Sequence, residues 1–152
     1  MTTRVSAEPA RSPGVAELLR LSDEFTFALY PAESCYLLDI SELERPGVTV
    51  FVGRDEEGAA LGMAALVRTT DGTAELKRMF VHADARGRGL AGSLLAAVEA
   101  EAVRTGVVTL RLETGPLQHA AIALYESRGY ARIPNFGEYV GDPHSVCYAK
   151  TL

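Results

Sequence analysis

The chain has 152 residues, of which 47% are hydrophobic and 23% charged, with a net charge of −5. This balance is typical of one globular domain, here residues 1–152, and excludes a disordered or fibrous chain. No stretch approaches the roughly 18 apolar residues of a membrane span, and the acidic balance disfavours nucleic acid as a partner. Two isolated cysteines, Cys35 and Cys147, match neither a disulfide scaffold nor a zinc spacing, so we expect a cytoplasmic protein with no metal site.

The N-terminal part of the chain is predicted to hold one long helix. Residues 1–12 favour a short strand or a frayed end, and Ser12-Pro13 has the pattern of a helix cap followed by the first helical residue. A helix over residues 13–29 is indicated by the apolar stripe of Val15, Leu18, Leu19, Phe25 and Leu29. Residues 34–46 favour a second, short helix.

The rest of the chain alternates predicted strands and helices. Strands are predicted at 48–52, 60–69 and 73–81 with turn-forming segments between them, which is the pattern of an antiparallel meander. The later predicted elements are a helix over 87–106, a strand over 107–112, a helix over 117–128, and strands over 130–133 and 146–150. The predicted fold class is therefore mixed α/β, with an antiparallel front half and a β-α-β unit behind it.

A glycine-rich segment, Arg86-Gly87-Arg88-Gly89-Leu90-Ala91-Gly92, joins a predicted strand to a predicted helix. Glycines let backbone N–H groups approach a ligand closely, and a helix N-terminus adds unpaired donors with a partial positive charge. The two arginines add full charges. Together these features predict a cradle for the phosphates of a small anionic ligand.

The same glycines also fit a dinucleotide-binding fingerprint. Gly87, Gly89 and Gly92 match the pattern GxGxxG, and Glu113 follows at about the distance of a ribose-binding acid. Two features disfavour this interpretation. Four or five residues separate the predicted strand from Gly87, whereas the fingerprint opens almost directly off its strand. About 40 residues remain after Glu113, too few for the second half of a dinucleotide fold.

Three segments, ELKRMFV at residues 75–81, RGRGLA at 86–91 and AIALYESRGY at 121–130, resemble in their order the motifs of the GCN5-related N-acetyltransferases, the GNAT family. The second resembles the pyrophosphate loop of that family, and the first resembles the strand before that loop. Residues 121–130 (AIALYESRGY) resemble the family's later motif. The resemblance covers about residues 48–152, whereas residues 1–47 fit the family's variable, substrate-binding half in outline.

The resemblance implies one GNAT-like domain whose mostly antiparallel sheet is flanked by helices and splays open between the strands near 73–81 and 107–112. It implies acetyl-CoA as the acetyl donor, bound in that opening, and a primary amine as the acceptor. Because family members often pair, a homodimer is also implied. The cofactor-binding residues that it implies are Met79, Phe80, Val81, Arg86, Gly87, Arg88, Gly89, Leu90, Ala91, Gln118 and Tyr125. Gln118 stands where the family usually has asparagine.

Two residues are predicted to act as acid and base. The resemblance places Tyr125 near the cofactor sulfur, where a phenol can protonate the leaving thiolate because the ordinary pKa values of the two groups are close. Glu75 lies in the strand before the glycine loop, at a position where some family members carry a catalytic glutamate, and is the predicted base. A carboxylate paired with Lys77 is the alternative. Strand alternation predicts that Glu75, Lys77, Met79 and Val81 share one face.

Other acidic and aromatic residues are predicted to bind the acceptor. Glu113 ends a predicted strand, where it can orient the amine, act as base through water, or form a structural ion pair. In the family, substrate is held by an early and a late loop, and the predicted substrate residues are Tyr30, Glu33, Glu113, Glu138 and Tyr139. Residues 30–34 and 136–143 also resemble a bacterial subgroup labelled auxin (indole-acetate) acetyltransferases, although indole-acetate offers no primary amine.

The predicted function is acetyl transfer from acetyl-CoA to the primary amine of a small molecule, by direct attack in a ternary complex. One alternative is a protein or peptide N-acetyltransferase. Another is a non-catalytic sensor that binds acyl-CoA and ignores every amine.

Overall fold

Seven strands form one sheet in the order β1-β2-β3-β4-β5-β7-β6 in the computed structural model, which describes residues 2–152. The strands are β1 Thr3–Ala7, β2 Val48–Asp55, β3 Ala60–Arg68, β4 Thr73–Val81, β5 Thr109–Thr114, β6 Ala131–Ile133 and β7 Val146–Thr151. Every neighbouring pair is antiparallel except β4 and β5, which run parallel. The predicted mixed α/β class with a mostly antiparallel sheet is confirmed.

Helices cover both faces of this sheet. They are α1 Val15–Leu29, α2 Ile40–Leu43, α3 Leu90–Arg104 and α4 His119–Ser127, with short 3-10 turns at Ala32–Ser34, Ala83–Ala85 and Gly137–Tyr139. One apolar core lies between the sheet and the pair α3 and α4, and a second lies between the sheet and α1 with α2. No helix within residues 2–152 is both long and apolar enough to cross a membrane.

The long N-terminal helix begins later than the sequence predicts. The cap is Gly14, in the left-handed region at φ 88°, and not Ser12. The Ser12 carbonyl instead accepts the Val15 N–H at 3.1 Å, which closes a turn ahead of the helix. A Cβ on residue 14 would lie 2.7 Å from the Cβ of Ala60, so both the backbone angle and the packing require glycine here.

A bulge in β4 overturns the predicted alternation. Lys77 pairs with Ala65 and Phe80 with Met63, so three steps along β4 oppose two along β3. The extra residue is Arg78, at φ 56°. Beyond it the faces exchange: Met79 and Val81 pack into the core under α3, whereas Phe80 packs into the core under α1. The expectation that Met79 and Val81 share a face with Glu75 and Lys77 is therefore wrong.

The buried Arg78 side chain ties this bulge to α1. Its Nη2 donates to the Leu19 carbonyl at 3.2 Å, and its Nη1 lies 2.8 Å from Oδ1 of Asp23. The contact with Asp23 lacks the alignment of a hydrogen bond, so the two side chains form an ion pair but no hydrogen bond. The Asp23 carboxylate thereby balances the positive charge of the Arg78 side chain, which is only 2% exposed.

The sheet splays where the sequence resemblance places the opening. The β4–β5 pairing joins Thr73–Leu76 to Thr109–Leu112 and then stops. Strand β4 continues to Val81, and β5 continues to Thr114 while staying paired with β7. The two parallel strands therefore diverge. On the side of β5 the last residues of β4 face a gap, whereas on the other side they stay paired with β3.

Candidate active site

A pocket of about 120 Å³ lies at this splay. Its walls come from β4, the end of β5, α4, α1 and the segment after α1, with one residue from the loop before β7. It brings together five of the residues predicted from the sequence: Tyr30, Met79, Glu113, Gln118 and Tyr125. These residues span almost a hundred positions of the chain and meet because the strands diverge between them.

Tyr125 is the residue of α4 that reaches from the core to the pocket wall. It is 5% exposed and packs edge-to-face against Tyr130, with ring centroids 5.9 Å apart. Burial, with a smaller effect of the Glu113 charge, raises the pKa of its phenol, so the hydroxyl stays protonated in the folded protein. Across residues 2–152 no hydrogen bond uses that hydroxyl, which leaves the proton available to a ligand.

Glu113 is the acidic side chain on the pocket wall. Burial raises the pKa of its carboxyl to about 7, and the Ser145 hydroxyl, which donates to Oε2 at 2.7 Å, partly opposes that rise. The charge of Lys77 opposes it further. A carboxyl with a pKa near neutrality can take a proton and release it again at the pH of a cell.

The raised pKa also predicts how stability depends on pH. A carboxyl whose pKa rises from 4.5 to about 7 on folding stabilises the folded state below pH 4.5 and loses that contribution as the pH rises through 7. Relative to Glu113→Gln, the wild-type protein should lose up to about 3 kcal/mol of unfolding free energy between pH 4 and pH 8. Urea unfolding of both proteins at the two pH values measures this. A difference that is the same at both values contradicts the assigned pKa.

Glu75 does not line the pocket, because Tyr139 and Lys77 engage its carboxylate. The Tyr139 hydroxyl donates to Oε2 of Glu75, and the Lys77 ammonium lies 3.5 Å from the same oxygen. Lys77 also donates to the Tyr139 hydroxyl at 2.6 Å. The pairing with Lys77 was the alternative for Glu75, and the structure contains it.

Asp142 joins the two loops that flank the pocket. It accepts hydrogen bonds from the Tyr36 hydroxyl at 2.6 Å, the Ser34 hydroxyl at 3.1 Å and the His144 backbone N–H at 2.8 Å. The bond to Tyr36 is the first cause of the lowered pKa of its carboxyl, so Asp142 stays ionised. Ser34, Tyr36, Asp142 and His144 are not among the site residues predicted from the sequence. Tyr36 and Asp142 lie 106 positions apart, and no local pattern pairs them.

The predicted substrate residues divide into three groups. Tyr30 and Glu113 line the pocket. Tyr139 is 1% exposed and lies behind Lys77, packed edge-to-face against Tyr36 at 4.8 Å. Glu33 and Glu138 are exposed and lie outside the pocket, because the short 3-10 turns that carry them direct Ser34 and Tyr139 inward instead.

Gly115 makes room for the ring of Tyr30. A Cβ at position 115 would overlap the Tyr30 ring and hydroxyl, and that hydroxyl accepts the Leu117 N–H at 3.0 Å. Gly115→Ala should therefore lower the unfolding free energy by about 2 kcal/mol. Urea unfolding measures the loss, and the same change in a Tyr30→Ala background should cost much less because the ring is gone. Equal losses in the two backgrounds contradict the overlap.

The glycine loop leaves free donors at the start of α3. Gly87 and Gly89 have φ values of 77° and 80°, and a Cβ on either would meet only open space. Gly89 caps α3 without a side-chain hydrogen bond, and the first turn holds no acidic residue. Within residues 2–152 no carboxylate pairs with Arg88. The loop can therefore receive an anion.

The remaining predicted cofactor residues differ in which of their polar groups are already hydrogen-bonded within the protein. Arg86 donates to the Val81 carbonyl at 3.2 Å and lies over the rings of Phe25 and Phe80, so it braces the loop. Gln118 uses its oxygen within its own loop, where it accepts from the Gly115 N–H at 2.9 Å, and only its NH₂ group remains for a ligand. Leu90 and Ala91 form the first turn of α3.

Comparisons with known proteins agree with this geometry. The model of the acetyltransferase (GNAT) family matches residues 15–130. The chain is 38% identical over 149 residues to an IAA acetyltransferase of Azospirillum brasilense, and the match covers 97% of both chains. A structure from Klebsiella pneumoniae, classed as an acyl-CoA N-acyltransferase, superposes with a TM-score of 0.84 at 33% identity and covers 99% of this chain and 98% of that one.

A more distant structure shares the fold alone. It is a PaiA N-acetyltransferase of Thermoplasma acidophilum, solved in complex with coenzyme A, with a TM-score of 0.77, 15% identity and full coverage of both chains.

The sheet of this chain has one parallel pair of strands among six pairs, so the dinucleotide-binding interpretation of the glycines is wrong.

Proposed function

Because the chain belongs to the GNAT family of acetyltransferases, we propose that it moves an acetyl group from acetyl-CoA directly to the primary amine of a small molecule. The observation that carries this proposal is that the phenol of Tyr125 and the carboxyl of Glu113 line one pocket at the splay of the sheet. Burial raises the pKa of both groups, which suits an acid and a base. Direct transfer needs both groups within one site.

The donor is proposed to lie across the splay, with its phosphates on the glycine loop. The free N–H groups at the start of α3 and the unpaired Arg88 suit the phosphates. The unpaired edge of β4, from Lys77 to Val81, offers backbone groups to an extended arm such as pantetheine, and Met79 lines the pocket at that edge. Bound there, acetyl-CoA supplies an activated acyl carbon and a thiolate leaving group.

Glu113 is the proposed base, in place of Glu75. Its carboxylate accepts the proton of the attacking amine, directly or through one water, and its pKa near 7 keeps part of it ionised at neutral pH. The Ser145 hydroxyl holds one of its oxygens and leaves the other for the acceptor. The engagement of Glu75 by Tyr139 and Lys77 argues against Glu75 in this role.

Tyr125 is the proposed acid. Its hydroxyl proton passes to the thiolate as the carbon–sulfur bond breaks, and the phenol is then restored from solvent. Burial raises its pKa, which keeps the proton in place before the reaction. The same shift moves the phenol pKa away from that of a thiol, contrary to the expectation that the two are close, so the proton transfer has to accompany cleavage of the carbon–sulfur bond. An NH group of β4 at the splay is proposed to stabilise the negative charge on the carbonyl oxygen.

A small acceptor is proposed because the loops beside the pocket are tied together. The volume of about 120 Å³ suits a small molecule, and Asp142 ties the early loop to the late loop beside it. The N-terminus or a lysine of a protein or peptide remains the alternative acceptor. The location in the cytoplasm and the pairing into homodimers stay predictions.

The test is CoA release from acetyl-CoA across a broad panel of small amines and peptides, with Cys35 and Cys147 accounted for by a blank without acceptor. We expect turnover with at least one small amine and none with peptides. Turnover of peptides alone supports the alternative acceptor. Binding of acetyl-CoA with no turnover by any acceptor contradicts the proposal and favours a sensor.

Arg88→Gln tests the proposed phosphate site. We expect the KM for acetyl-CoA to rise about tenfold with kcat nearly unchanged, because a phosphate contact far from the reacting atoms is equal in the ground and transition states. Steady-state kinetics at saturating amine measure both constants. Arg104→Gln, at the other end of α3, is the matched control and should leave the KM unchanged. An unaltered KM in Arg88→Gln contradicts this placement of the phosphates.

A further inference from the structure

The positively charged side chains on the pocket wall are paired with carboxylates. Two permanent cations line the pocket, and each has its own carboxylate: Lys77 lies 3.5 Å from Glu75, and Arg78 lies 2.8 Å from Asp23. Their side chains are only 10% and 2% exposed. Neither cation is therefore free to receive an anionic group from a ligand.

The carboxylates at the acceptor end have no such partner. Within residues 2–152, no Lys or Arg lies within ion-pair distance of Glu113 or Asp142. The donors to their oxygens are the hydroxyls of Ser145, Tyr36 and Ser34 and the backbone N–H of His144, which carry no charge. The His144 ring also lines the pocket, and its charge contributes to the lowered pKa of Asp142. Burial is the main cause of the raised pKa of Glu113. The charge of Lys77 lowers that pKa and the smaller effects of Glu75 and Asp142 raise it, so these charged groups all act on the same small volume.

We propose that the acceptor is a primary amine with no anionic group, and that this pocket rejects the carboxylate of an amino acid or of indole-acetate. The inference rests on the proposed function and narrows its substrate class. An ammonium group supplies the missing positive charge, and the rings of Tyr30 and Tyr36 on the wall suit a cation as well. A ligand carboxylate would meet Glu113 on the wall and the nearby charge of Asp142, and neither Lys77 nor Arg78 is free to hold it.

The test uses pairs of molecules that differ only in a carboxylate: ethanolamine with serine, histamine with histidine, and tyramine with tyrosine. Both kcat/KM for acetyl transfer and binding to the CoA-loaded protein by calorimetry are measured for each pair. We expect the amine to exceed its amino acid by at least about 100-fold in each pair whose amine binds. A ratio near or below one, in either measurement, overturns the proposal.

Two variants test the physical cause. Glu75→Gln leaves Lys77 as an unpaired cation on the wall. Asp142→Asn removes a negative charge while keeping one oxygen to accept from Ser34 and the His144 N–H, and the Tyr36 hydroxyl can accept from the new NH₂ group. Each should reduce the preference for the amine by tenfold or more. Glu57→Gln, an exposed carboxylate in the β2–β3 turn, is the control and should leave the ratio unchanged. A ratio that neither variant alters overturns the electrostatic explanation.

Calorimetry separates failure of this inference from failure of the proposed function. Selective binding of amines without any transfer keeps the inference and contradicts the enzyme. Transfer to amino acids as fast as to amines keeps the enzyme and overturns the inference. Binding of neither class overturns both.

Discussion

Glu113→Gln is expected to lower kcat/KM for the amine by at least about 100-fold, the usual contribution of a general base. The amide keeps the shape of the side chain and can still accept the hydrogen bond from Ser145, but it cannot take a proton. The wild-type rate should also rise as the pH increases through about 7, because the base acts in its ionised form. That part of the profile should vanish in the variant and leave only the ionisation of the amine.

Glu75→Gln is the comparison that assigns the base. If Glu113 takes the proton, the change at position 75 should lower kcat/KM for the amine by less than about tenfold. A loss of 100-fold in Glu75→Gln with a small loss in Glu113→Gln contradicts our assignment and restores the base predicted from the sequence. Profiles of kcat/KM against pH for all three proteins provide the measurement.

Tyr125→Phe is expected to lower kcat by about 10- to 100-fold while the KM for acetyl-CoA changes little. The phenyl ring fills the same core space, so the change removes the proton donor and hardly alters packing. The loss should be smaller for an acyl donor whose leaving thiol has a lower pKa, because such a thiolate needs less protonation.

Tyr148→Phe is the matched control for Tyr125. Tyr148 lies in the same core, but its hydroxyl bonds to Glu126 at 3.1 Å, away from the pocket. It should keep kcat and lose only the roughly 1 kcal/mol of stability that its hydrogen bond provides. An unchanged kcat in Tyr125→Phe would remove Tyr125 from the mechanism and leave solvent as the proton donor.

The order of elements could be predicted from the sequence because it depends on local patterns. Strand β4 was placed at residues 73–81, as observed, and the glycine loop was placed between it and a helix. The sequence pattern predicts that the fifth strand ends at residue 112. In the structure β5 extends to Thr114, which places Glu113 beside β7. The three motifs, taken in their order, indicate the family, whereas any one of them alone is not specific enough.

The parts that could not be predicted depend on contacts between distant segments. The bulge at Arg78 places a residue that is not glycine at positive φ, and its support comes from Leu19 and Asp23 on α1. The base assignment depended on the same kind of contact. Glu75 and Glu113 look alike in the sequence, and only the burial of Glu113 and the pairing of Glu75 distinguish them.

The most direct test of the account is to identify where the acetyl group goes. The protein is incubated with acetyl-CoA and an amine from the panel, and the masses of the amine and of the intact protein are followed together. We predict one acetylated amine for each CoA released, with no acetyl group on the protein at any time. An acetylated protein that forms before the product, or CoA release without acetylated amine, would contradict direct transfer between the two substrates.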